Sequence, residues 1–280
     1  MGSSRLPILL SCCSLLLSFA TLTLSAEDPY FECRYAEENK GNFTDKSTYQ
    51  SNLNDIISQL SNLTDFNYGF HNLSAGGNPD KVFATALCAG DKTPNECRTC
   101  FNYTITKLID RCPWGKEVVA WSQFCMVRYA NRDIFAQLDS DPRTCAYNPT
   151  NASNPDVFNL ALSNLLTNLS DEASTGGALR KYAADNTTDD PQQMIFAAVQ
   201  CTPDLNQENC SLCLNFAMSE LSKCCAGRLG CRVLRPSCVL RFETGSFFNL
   251  TAVVPLPSPP PSSTPSPPPP PPSTSATIGG

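Results

Sequence analysis

Cysteine is the residue type in this sequence with the widest choice of chemistry. The 280-residue chain contains 16 cysteines, and its single histidine is His71. The pairs Cys97/Cys100 and Cys210/Cys213 have the Cys-x-x-Cys spacing used by zinc sites and by thioredoxin-like dithiols. A zinc site needs reduced thiolates, whereas an oxidising compartment converts cysteines into disulfides. The choice between metal, redox and structural chemistry therefore depends on where the chain folds.

The N-terminal residues indicate export. An apolar run from Ile8 to Ala20 follows one early basic residue and precedes two small residues. This order is typical of a secretory signal peptide, and the run is short for a membrane span, although an N-terminal anchor is the alternative. We predict a signal peptide over residues 1–26. Its removal takes away Cys12 and Cys13, and the even number of fourteen that is left favours disulfides over zinc or a redox dithiol.

Glycosylation sequons agree with export. The chain contains nine Asn-x-Ser/Thr sequences in which x is not proline. Their acceptors are Asn42, Asn62, Asn72, Asn102, Asn151, Asn168, Asn186, Asn209 and Asn249. Because this motif is modified in secreted proteins, we predict a secreted glycoprotein.

The cysteines form an internal repeat. Five of them recur at a constant offset of 113 residues, and Cys33 recurs as Cys145 at an offset of 112. The five are Cys88, Cys97, Cys100, Cys112 and Cys125, which recur as Cys201, Cys210, Cys213, Cys225 and Cys238. Self-similarity at a fixed period indicates duplicated structural units. We therefore predict two tandem domains, over residues 27–138 and 139–254.

Residues 255–280 form a tail of different composition. Twelve of the 23 prolines lie between Pro255 and Pro272. Proline has no amide donor and fixes φ, so we predict a disordered tail that favours extended polyproline II. We expect this tail to act as a spacer, and a docking peptide for proline-binding domains is the alternative.

The net charge of the whole chain is −6, and it contains no long basic block. Both features argue against a nucleic-acid partner.

Each repeat carries the same pattern of secondary structure. Apolar residues recur with helical spacing over residues 49–60 and 158–169, and a second helix is expected at each Cys-x-x-Cys pair. The predicted strands are 118–119, 124–129, 232–234 and 238–242, with hairpins from the glycine-containing segments 67–78 and 172–188. Helices and strands do not alternate regularly, so we predict an α+β fold with an antiparallel sheet rather than a βαβ layout.

The second repeat has two cysteines that the first lacks. Cys224 and Cys231 align with Arg111 and Val118 at the offset of 113. Two extra cysteines without counterparts are expected to bond to each other, which predicts a Cys224–Cys231 disulfide. The six cysteines that the two domains share allow fifteen pairings in each, and spacing alone does not choose among them.

One spacing pattern occurs in both repeats, as Cys88-x8-Cys97-x2-Cys100 and as Cys201-x8-Cys210-x2-Cys213. It resembles the plant ginkbilobin-homologous (stress-antifungal) domain, and tandem copies behind a signal peptide are similar to plant cysteine-rich repeat secretory proteins and to the ectodomains of cysteine-rich receptor-like kinases. The resemblance implies two helices on a five-stranded antiparallel sheet in each domain and secretion to the apoplast. It also implies the disulfides Cys33–Cys112, Cys88–Cys97, Cys100–Cys125, Cys145–Cys225, Cys201–Cys210 and Cys213–Cys238.

The same resemblance implies a carbohydrate site in the second domain. Mannose contacts would come from an asparagine just after the first cysteine, an arginine seven residues after the fifth and a glutamate five after the sixth. Arg232 and Glu243 stand at the last two positions, but Ala146 stands at the first. A guanidinium donates hydrogen bonds to sugar hydroxyls and a carboxylate accepts them, although an ion pair on the rim of the sheet is the alternative role. The corresponding residues of the first domain are Arg34, Val119 and Ala130.

The sequence shows no pattern that predicts catalysis. Adjacent acids such as Asp189 and Asp190 do not converge as an acid and a base must, and His71 is expected on a turn. No phosphate-binding glycine loop or nucleophile elbow occurs. We therefore predict a protein that is not an enzyme and that uses neither a cofactor nor a metal.

These observations predict a recognition module, secreted or at the cell surface, that acts in plant stress and defence signalling. Its partner is expected to be an extracellular protein or a glycan, with association with receptor-like kinases as one form of the hypothesis and no membrane span in this chain. Two alternatives stay open. One is a mannose-binding antifungal lectin that uses Arg232 and Glu243, and the other is a truncated ectodomain of a cysteine-rich receptor-like kinase.

Overall fold

The structure, a computed structural model, describes residues 28–34, 41–63, 67–189 and 193–249. The predicted signal peptide, residues 1–26, and the predicted tail, residues 255–280, lie outside these ranges. Within them the chain forms four α-helices and ten β-strands. No helix in the described ranges is both long enough and apolar enough to cross a membrane.

The first domain packs two helices on one face of a five-stranded sheet. Its elements are β1 (Tyr30–Cys33), α1 (Thr48–Ser61), β2 (Phe70–Ala75), β3 (Val82–Cys88), α2 (Pro94–Arg111), β4 (Val118–Trp121) and β5 (Cys125–Ala130). The strands are ordered β1-β4-β5-β3-β2, and every neighbouring pair is antiparallel. The apolar sides of both helices and one face of the sheet form a single core.

The second domain repeats this arrangement. Its elements are β6 (Thr144–Tyr147), α3 (Pro155–Ser174), β7 (Lys181–Thr188), β8 (Met194–Cys201), α4 (Gln207–Cys224), β9 (Cys231–Leu234) and β10 (Cys238–Glu243). The strands are ordered β6-β9-β10-β8-β7, again antiparallel throughout. The predicted fold, with two helices on a five-stranded antiparallel sheet in each tandem unit, is confirmed. The division of the chain at residues 138 and 139 stays a prediction.

Polar residues determine where the helices begin. The hydroxyl of Ser47 precedes α1 and accepts a hydrogen bond from the Gln50 amide at 3.3 Å. Thr93 and Glu96 form a reciprocal capping box at the start of α2. Such caps satisfy amides that a helix cannot bond internally, and each is worth about 1 kcal/mol. The predicted apolar stripe over residues 49–60 faces the core of the first domain.

The sequence pattern misses the inner strands β3 and β8 because they do not alternate between apolar and polar residues. Both lie inside a sheet whose two faces are covered, and residues 84–88 of β3 are all buried. The glycine-containing segments take part in hairpins, as predicted, but each supplies only one of the two strands. In these hairpins β2 pairs with β3 and β7 pairs with β8, while residues 172–174 are the last turn of α3.

Seven disulfides join all fourteen cysteines of the described ranges. Five bonds follow the predicted pairing, namely Cys33–Cys112, Cys88–Cys97, Cys100–Cys125, Cys201–Cys210 and Cys213–Cys238. They tie the second helix of each domain to its sheet. A sulfur in an intact disulfide is not a thiolate, so these cysteines cannot act as zinc ligands while the bonds persist.

The two remaining predicted bonds are wrong. The structure joins Cys145 to Cys224 and Cys225 to Cys231, in place of the predicted Cys145–Cys225 and Cys224–Cys231. Cys224 ends α4 and Cys225 caps it, so both sulfurs lie near that of Cys145, and their Sγ atoms are 3.4 Å apart. The constant offset of 113 aligns Cys225 with Cys112. The Cys145–Cys224 bond instead has the same sequence separation, 79 residues, as the Cys33–Cys112 bond of the first domain.

The two sheets pack against each other through the faces that carry no helices. Leu87, Trp121 and Met126 of the first sheet share a buried cluster with Leu234 of the second, and the partly buried Val239 packs against this cluster. The result is a helix–sheet–sheet–helix arrangement in which the domains share a core. Residues of both domains therefore meet at a common boundary.

A partly buried ion-pair network lies beside this boundary. Arg128 on β5 pairs with Asp139, and Arg132 contacts Asp139 at 2.8 Å and Glu117 at 3.0 Å. Burial opposes the charge on Asp139, but the charges and hydrogen bonds of Arg128 and Arg132 outweigh it and hold the pKa of the carboxyl below its ordinary 3.8. The Asp139 amide also donates to Ser237 Oγ at 2.8 Å, which joins the network to the second domain.

Candidate binding site between the domains

A cavity of about 220 Å³ lies where the two domains meet. Its lining includes Trp121, Phe124 and Met126 from the first domain and Arg232, Leu234, Val239 and Arg241 from the second. Apolar walls with a few polar groups are the usual composition of small-ligand sites. The cavity is smaller than the roughly 300–1,000 Å³ of drug-sized pockets, so it suits a compact ligand.

Two strands of the second sheet hold Arg232 and Arg241 side by side. The two residues are direct partners in the antiparallel register of β9 and β10, and such partners project from the same face of a sheet. This face is the one without helices, so both side chains line the cavity. Arg241 contacts Glu243 Oε1 at 3.2 Å, and its guanidinium lies 4.2 Å from the centre of the Phe247 ring.

The residues predicted to contact sugar lie on this same face. Ala146, at the position expected for asparagine, is the register partner of Arg232 on the neighbouring strand β6. Glu243 is engaged by Arg241, a residue that the sequence analysis does not single out. Arg241 stands two residues before Glu243 on one strand, and this period of two, which places residues on a shared face, is the signal that identifies it.

Gly230 makes room for the carboxylate of Glu243. A Cβ atom at Gly230 would collide with that carboxylate and would touch Asn148 Cβ at 3.4 Å. The Asn148 amide donates to the Gly230 carbonyl at 2.9 Å, so Asn148 lies beside this glycine. An asparagine side chain is thus close to Glu243, although it comes from a position two residues after Ala146.

Asp91 connects the first-domain wall of the cavity to the second domain. It is buried, and its Oδ1 accepts a hydrogen bond from the Tyr182 hydroxyl at 3.2 Å. Its Oδ2 accepts from the Asn249 amide at 3.2 Å and also pairs with Lys92. Burial, followed by the charge of Asp91, raises the pKa of Tyr182 far above its ordinary 10. Tyr182 therefore stays a protonated donor.

The acids beside the cavity are engaged and do not form an acid/base pair. Glu96 accepts hydrogen bonds from the Thr93 hydroxyl at 2.7 Å and amide at 2.9 Å, and these bonds lower the pKa of its carboxyl. A general acid or base needs a pKa near the working pH, whereas Glu96 is held ionised. His71, expected on a turn, is instead buried on β2 against the edge of Phe101. In the described ranges, both acids of the cavity lining therefore have hydrogen-bond partners within the fold.

Further polar contacts join the domains around the cavity. Gln200 Nε2 donates to the Cys88 carbonyl at 3.0 Å, and Trp121 Nε1 donates to the Arg235 carbonyl at 3.3 Å. Both bonds are buried, where an unpaired polar group would cost about 1–3 kcal/mol. The two domains are therefore joined by apolar packing and also by directional hydrogen bonds, which fix their relative orientation.

A methyl group at Gly90 is expected to weaken this domain contact. A Cβ atom there would lie 2.7 Å from Tyr182 Cγ, so the ring and its bond to Asp91 would have to shift. We expect Gly90→Ala to lower the free energy of unfolding by about 1–3 kcal/mol in urea denaturation. Gly77→Ala is the matched control, because nothing lies within 4 Å of a Cβ at Gly77. Equal stability of the two variants would contradict the close contact.

The predicted glycosylation sites differ in exposure. Seven of the nine acceptor asparagines are exposed, whereas Asn186 on β7 and Asn209 in the first turn of α4 are partly buried. Bulky glycans need surface positions, so the seven exposed sites are the better acceptors. Occupancy of each site stays a prediction.

The sequence matches one family in both domains. A family model described as salt stress response/antifungal matches residues 32–132 and 144–245, more than half of the chain. The chain belongs to this family. The resemblance drawn from the cysteine spacing is thereby confirmed.

Relatives in the salt stress response/antifungal family include secreted proteins and receptor-like kinases. The chain is 36% identical over 232 residues to cysteine-rich repeat secretory protein 38 of Arabidopsis thaliana, covering 83% of this chain and 91% of that protein. It is 32% identical over 235 residues to the antimicrobial ginkbilobin-2-like protein of Castanea crenata, covering 84% and 95%. It is 35% identical over 238 residues to cysteine-rich receptor-like protein kinase 29 of Arabidopsis thaliana, but spans only 34% of that kinase.

Solved structures of the same kind share the fold. The tandem DUF26 ectodomain of the cysteine-rich receptor-like protein PDLP8 from Arabidopsis thaliana matches with a TM-score of 0.64 at 19% identity, covering 79% of this chain and all of that one. The PDLP5 ectodomain from the same plant matches with a TM-score of 0.60 at 21% identity and equal coverage. The chain therefore shares the tandem fold of these two ectodomains.

Proposed function

We propose that the protein is a non-enzymatic recognition module that is secreted to the apoplast or displayed at the plant cell surface. Its partner would be an extracellular protein or glycan in stress and defence signalling, and receptor-like kinases are one class of associate. The observation that carries the proposal is the cavity shared by two domains with a common core. Two domains that share a core present one composite surface, and a surface that is ordered before binding loses less conformational entropy when a partner docks.

The engaged acids support binding over catalysis. Glu96 caps a helix, Asp91 joins the domains and Glu243 is paired with Arg241. Each carboxylate has a structural partner that would have to be displaced before it could move a proton. The secreted and ectodomain character of the relatives supports an extracellular site of action.

The proposal is tested by binding the labelled full chain to plant cell-wall and plasma-membrane preparations. Saturable binding that unlabelled protein displaces is expected, and reduced, alkylated protein is the matched control because it lacks the disulfides. Binding that does not saturate, or that is equal for the reduced protein, would contradict recognition by the folded domains. Arg232→Gln in the same assay reports whether the partner uses the cavity.

A mannose-type lectin is the second candidate function. It is favoured by the row of polar groups formed by Arg232, Arg241 and Glu243 beside Asn148, which offers donors and an acceptor on one face. On a glycan array we expect binding to mannan that falls about tenfold or more in Glu243→Gln and Arg232→Ala, since charge-assisted hydrogen bonds are lost. Arg111→Gln, an exposed arginine at the end of α2, is the control. Absence of mannan binding by the unaltered chain would exclude this candidate.

A receptor ectodomain is the third candidate. It is supported by the 35% identity to a receptor-like kinase over a third of that protein's length. Sequencing the transcript tests it. An apolar segment of about 20 residues and a kinase domain downstream are expected for a receptor, and a stop codon directly after Gly280 would contradict it.

A further inference from the structure

Another cavity lies between the two helices of the second domain, on the side of the sheet away from the domain contact. Its volume is about 280 Å³, and we call it the helix groove. Its floor consists of five apolar side chains from α3, α4 and β10, namely Leu162, Leu166, Met218, Leu221 and Phe242. Phe242 and its neighbour Arg241 project from opposite faces of β10, because successive side chains of a strand alternate between faces. The helix groove is therefore separate from the cavity that Arg241 lines.

The two domains differ in side-chain volume beside this groove. The Ala152 amide donates a hydrogen bond to the Gly227 carbonyl at 2.8 Å. The equivalent bond of the first domain joins the Phe43 amide to the Trp114 carbonyl at 3.0 Å. The second domain thus has a methyl group and a hydrogen atom where the first has two aromatic side chains. Gly227 directly follows Ala226, which lines the helix groove.

In the first domain the larger side chains pack on one another. Phe43 stacks on Tyr49 with 5.4 Å between ring centres, and it meets the edge of Trp114 at 5.9 Å. Tyr129, which corresponds to Phe242, donates its hydroxyl to a backbone carbonyl at 3.0 Å, whereas phenylalanine has no hydroxyl. The second domain lacks these filling groups. A bound molecule would supply there the apolar contacts that aromatic rings supply in the first domain.

The lining of the helix groove selects a ligand by charge and by size. Of the described residues that line it, none is charged, so an ionic ligand would lose its hydration without gaining a partner. The side chains of Asn159, Ser163 and Ser222 are exposed at the rim and offer uncharged hydrogen-bonding groups. An engineered cavity of about 150 Å³ holds benzene, so a volume of about 280 Å³ suits a molecule of about ten carbons.

We propose that the helix groove binds a small, neutral, lipophilic molecule of about ten carbons that carries one uncharged polar group. The apolar body packs against Leu166, Met218 and Phe242, and the polar group lies at the rim beside Asn159 and Ser163. This site goes beyond the proposed function, because it lies on the opposite face of the second sheet from the cavity that the domains share.

The test uses nuclear magnetic resonance of the full-length chain with isotope-labelled methionine methyl groups. Met218 lines the helix groove, Met126 lines the cavity between the domains, and Met194 lines neither, so each signal reports a different location. The probe is citronellol, a neutral alcohol of the expected size. Citronellate has the same carbon frame with a carboxylate, and propan-1-ol has the hydroxyl without most of the frame.

We expect citronellol to shift the Met218 signal saturably and to leave the Met126 and Met194 signals unchanged. Citronellate is expected to bind about tenfold or more weakly, because its charge would be desolvated. Propan-1-ol is expected to bind about a hundredfold or more weakly, because it buries little apolar surface. Equal affinity for alcohol and carboxylate, a shift of Met126 in place of Met218, or no saturable shift up to about 1 mM citronellol would each overturn the proposal.

Two neighbouring positions on α3 provide a matched pair of variants. Ser163→Trp places an indole at the rim of the helix groove, and Asn164→Trp places one at an exposed position that does not line it. We expect the first variant to weaken citronellol binding about tenfold or more by obstructing the groove, and the second to leave it unchanged within about twofold. Circular dichroism checks that both variants are folded. Equal binding of citronellol by the two folded variants would overturn the location of the site.

Discussion

Removal of the Cys145–Cys224 disulfide is expected to lower the free energy of unfolding by about 4 kcal/mol. The bond closes a sequence separation of 79, and in the chain-entropy account the stabilisation grows with the length of the closed loop. Cys225–Cys231 closes a separation of only 6, for which the same account gives about 2 kcal/mol. The paired variants Cys145→Ala/Cys224→Ala and Cys225→Ala/Cys231→Ala, compared in guanidinium denaturation, measure the two values.

Peptide mapping of the unaltered, unreduced chain checks the pairing on which this expectation rests. Trypsin leaves Cys224 and Cys225 in one peptide, so the linked peptides must be fragmented between these two adjacent residues. A fragment that carries the Cys145 peptide on Cys224 supports the structure. The Cys145 peptide on Cys225 would contradict it and would restore the pairing implied by the family resemblance.

Asp139→Asn is expected to lower the free energy of unfolding by about 3 kcal/mol at neutral pH. The side chain of Arg128 is 4% exposed and that of Asp139 is 20% exposed, and loss of one partner leaves a buried charge uncompensated. If this is the cause, adding Arg128→Met to Asp139→Asn should recover most of the loss. Asp110→Asn, on the exposed surface of α2, is expected to change stability by less than about 0.5 kcal/mol.

The same variant has a defined pH dependence. The pKa of Asp139 is lower in the folded chain than its ordinary 3.8, so its contribution is complete above that pH and is lost as the pH falls through the folded value. The stability difference between the unaltered chain and Asp139→Asn is therefore expected at pH 7 and should shrink below about pH 3.8. A difference that stays constant down to pH 2 would show that the lost charge is not its source.

The parts of the fold that sequence predicts are those that depend on local spacing. Helical periodicity over residues 49–60 identifies α1, and the duplicated cysteines identify two equivalent domains. Spacing does not predict the disulfide partners of the adjacent residues Cys224 and Cys225. Both sulfurs lie at the end of one helix, so either can reach the same partner. The sequence spacing does not decide which of these two neighbouring cysteines bonds to Cys145. The geometry at the end of the helix decides it.

The candidate site was predictable only in part for the same reason. Arg232 and Glu243 follow from a motif, whereas the cavity that Arg232 lines depends on how two sheets pack. Asp91 and Tyr182 are 91 positions apart in the chain, and no local sequence pattern predicts the hydrogen bond between them. Residues that contact each other across the two domains are far apart in the chain and lie in no local motif. Sequence patterns within short windows therefore do not predict these contacts.

The last described residues are fastened to the domain that they do not belong to. The Asn249 amide bonds to Asp91, and Lys92 donates to the Phe247 carbonyl at 3.4 Å. A pulling force applied beyond Asn249 would therefore act on both domains at once, along the interface between them. A tether attached there would hold the pair as one body instead of peeling the second domain away from the first.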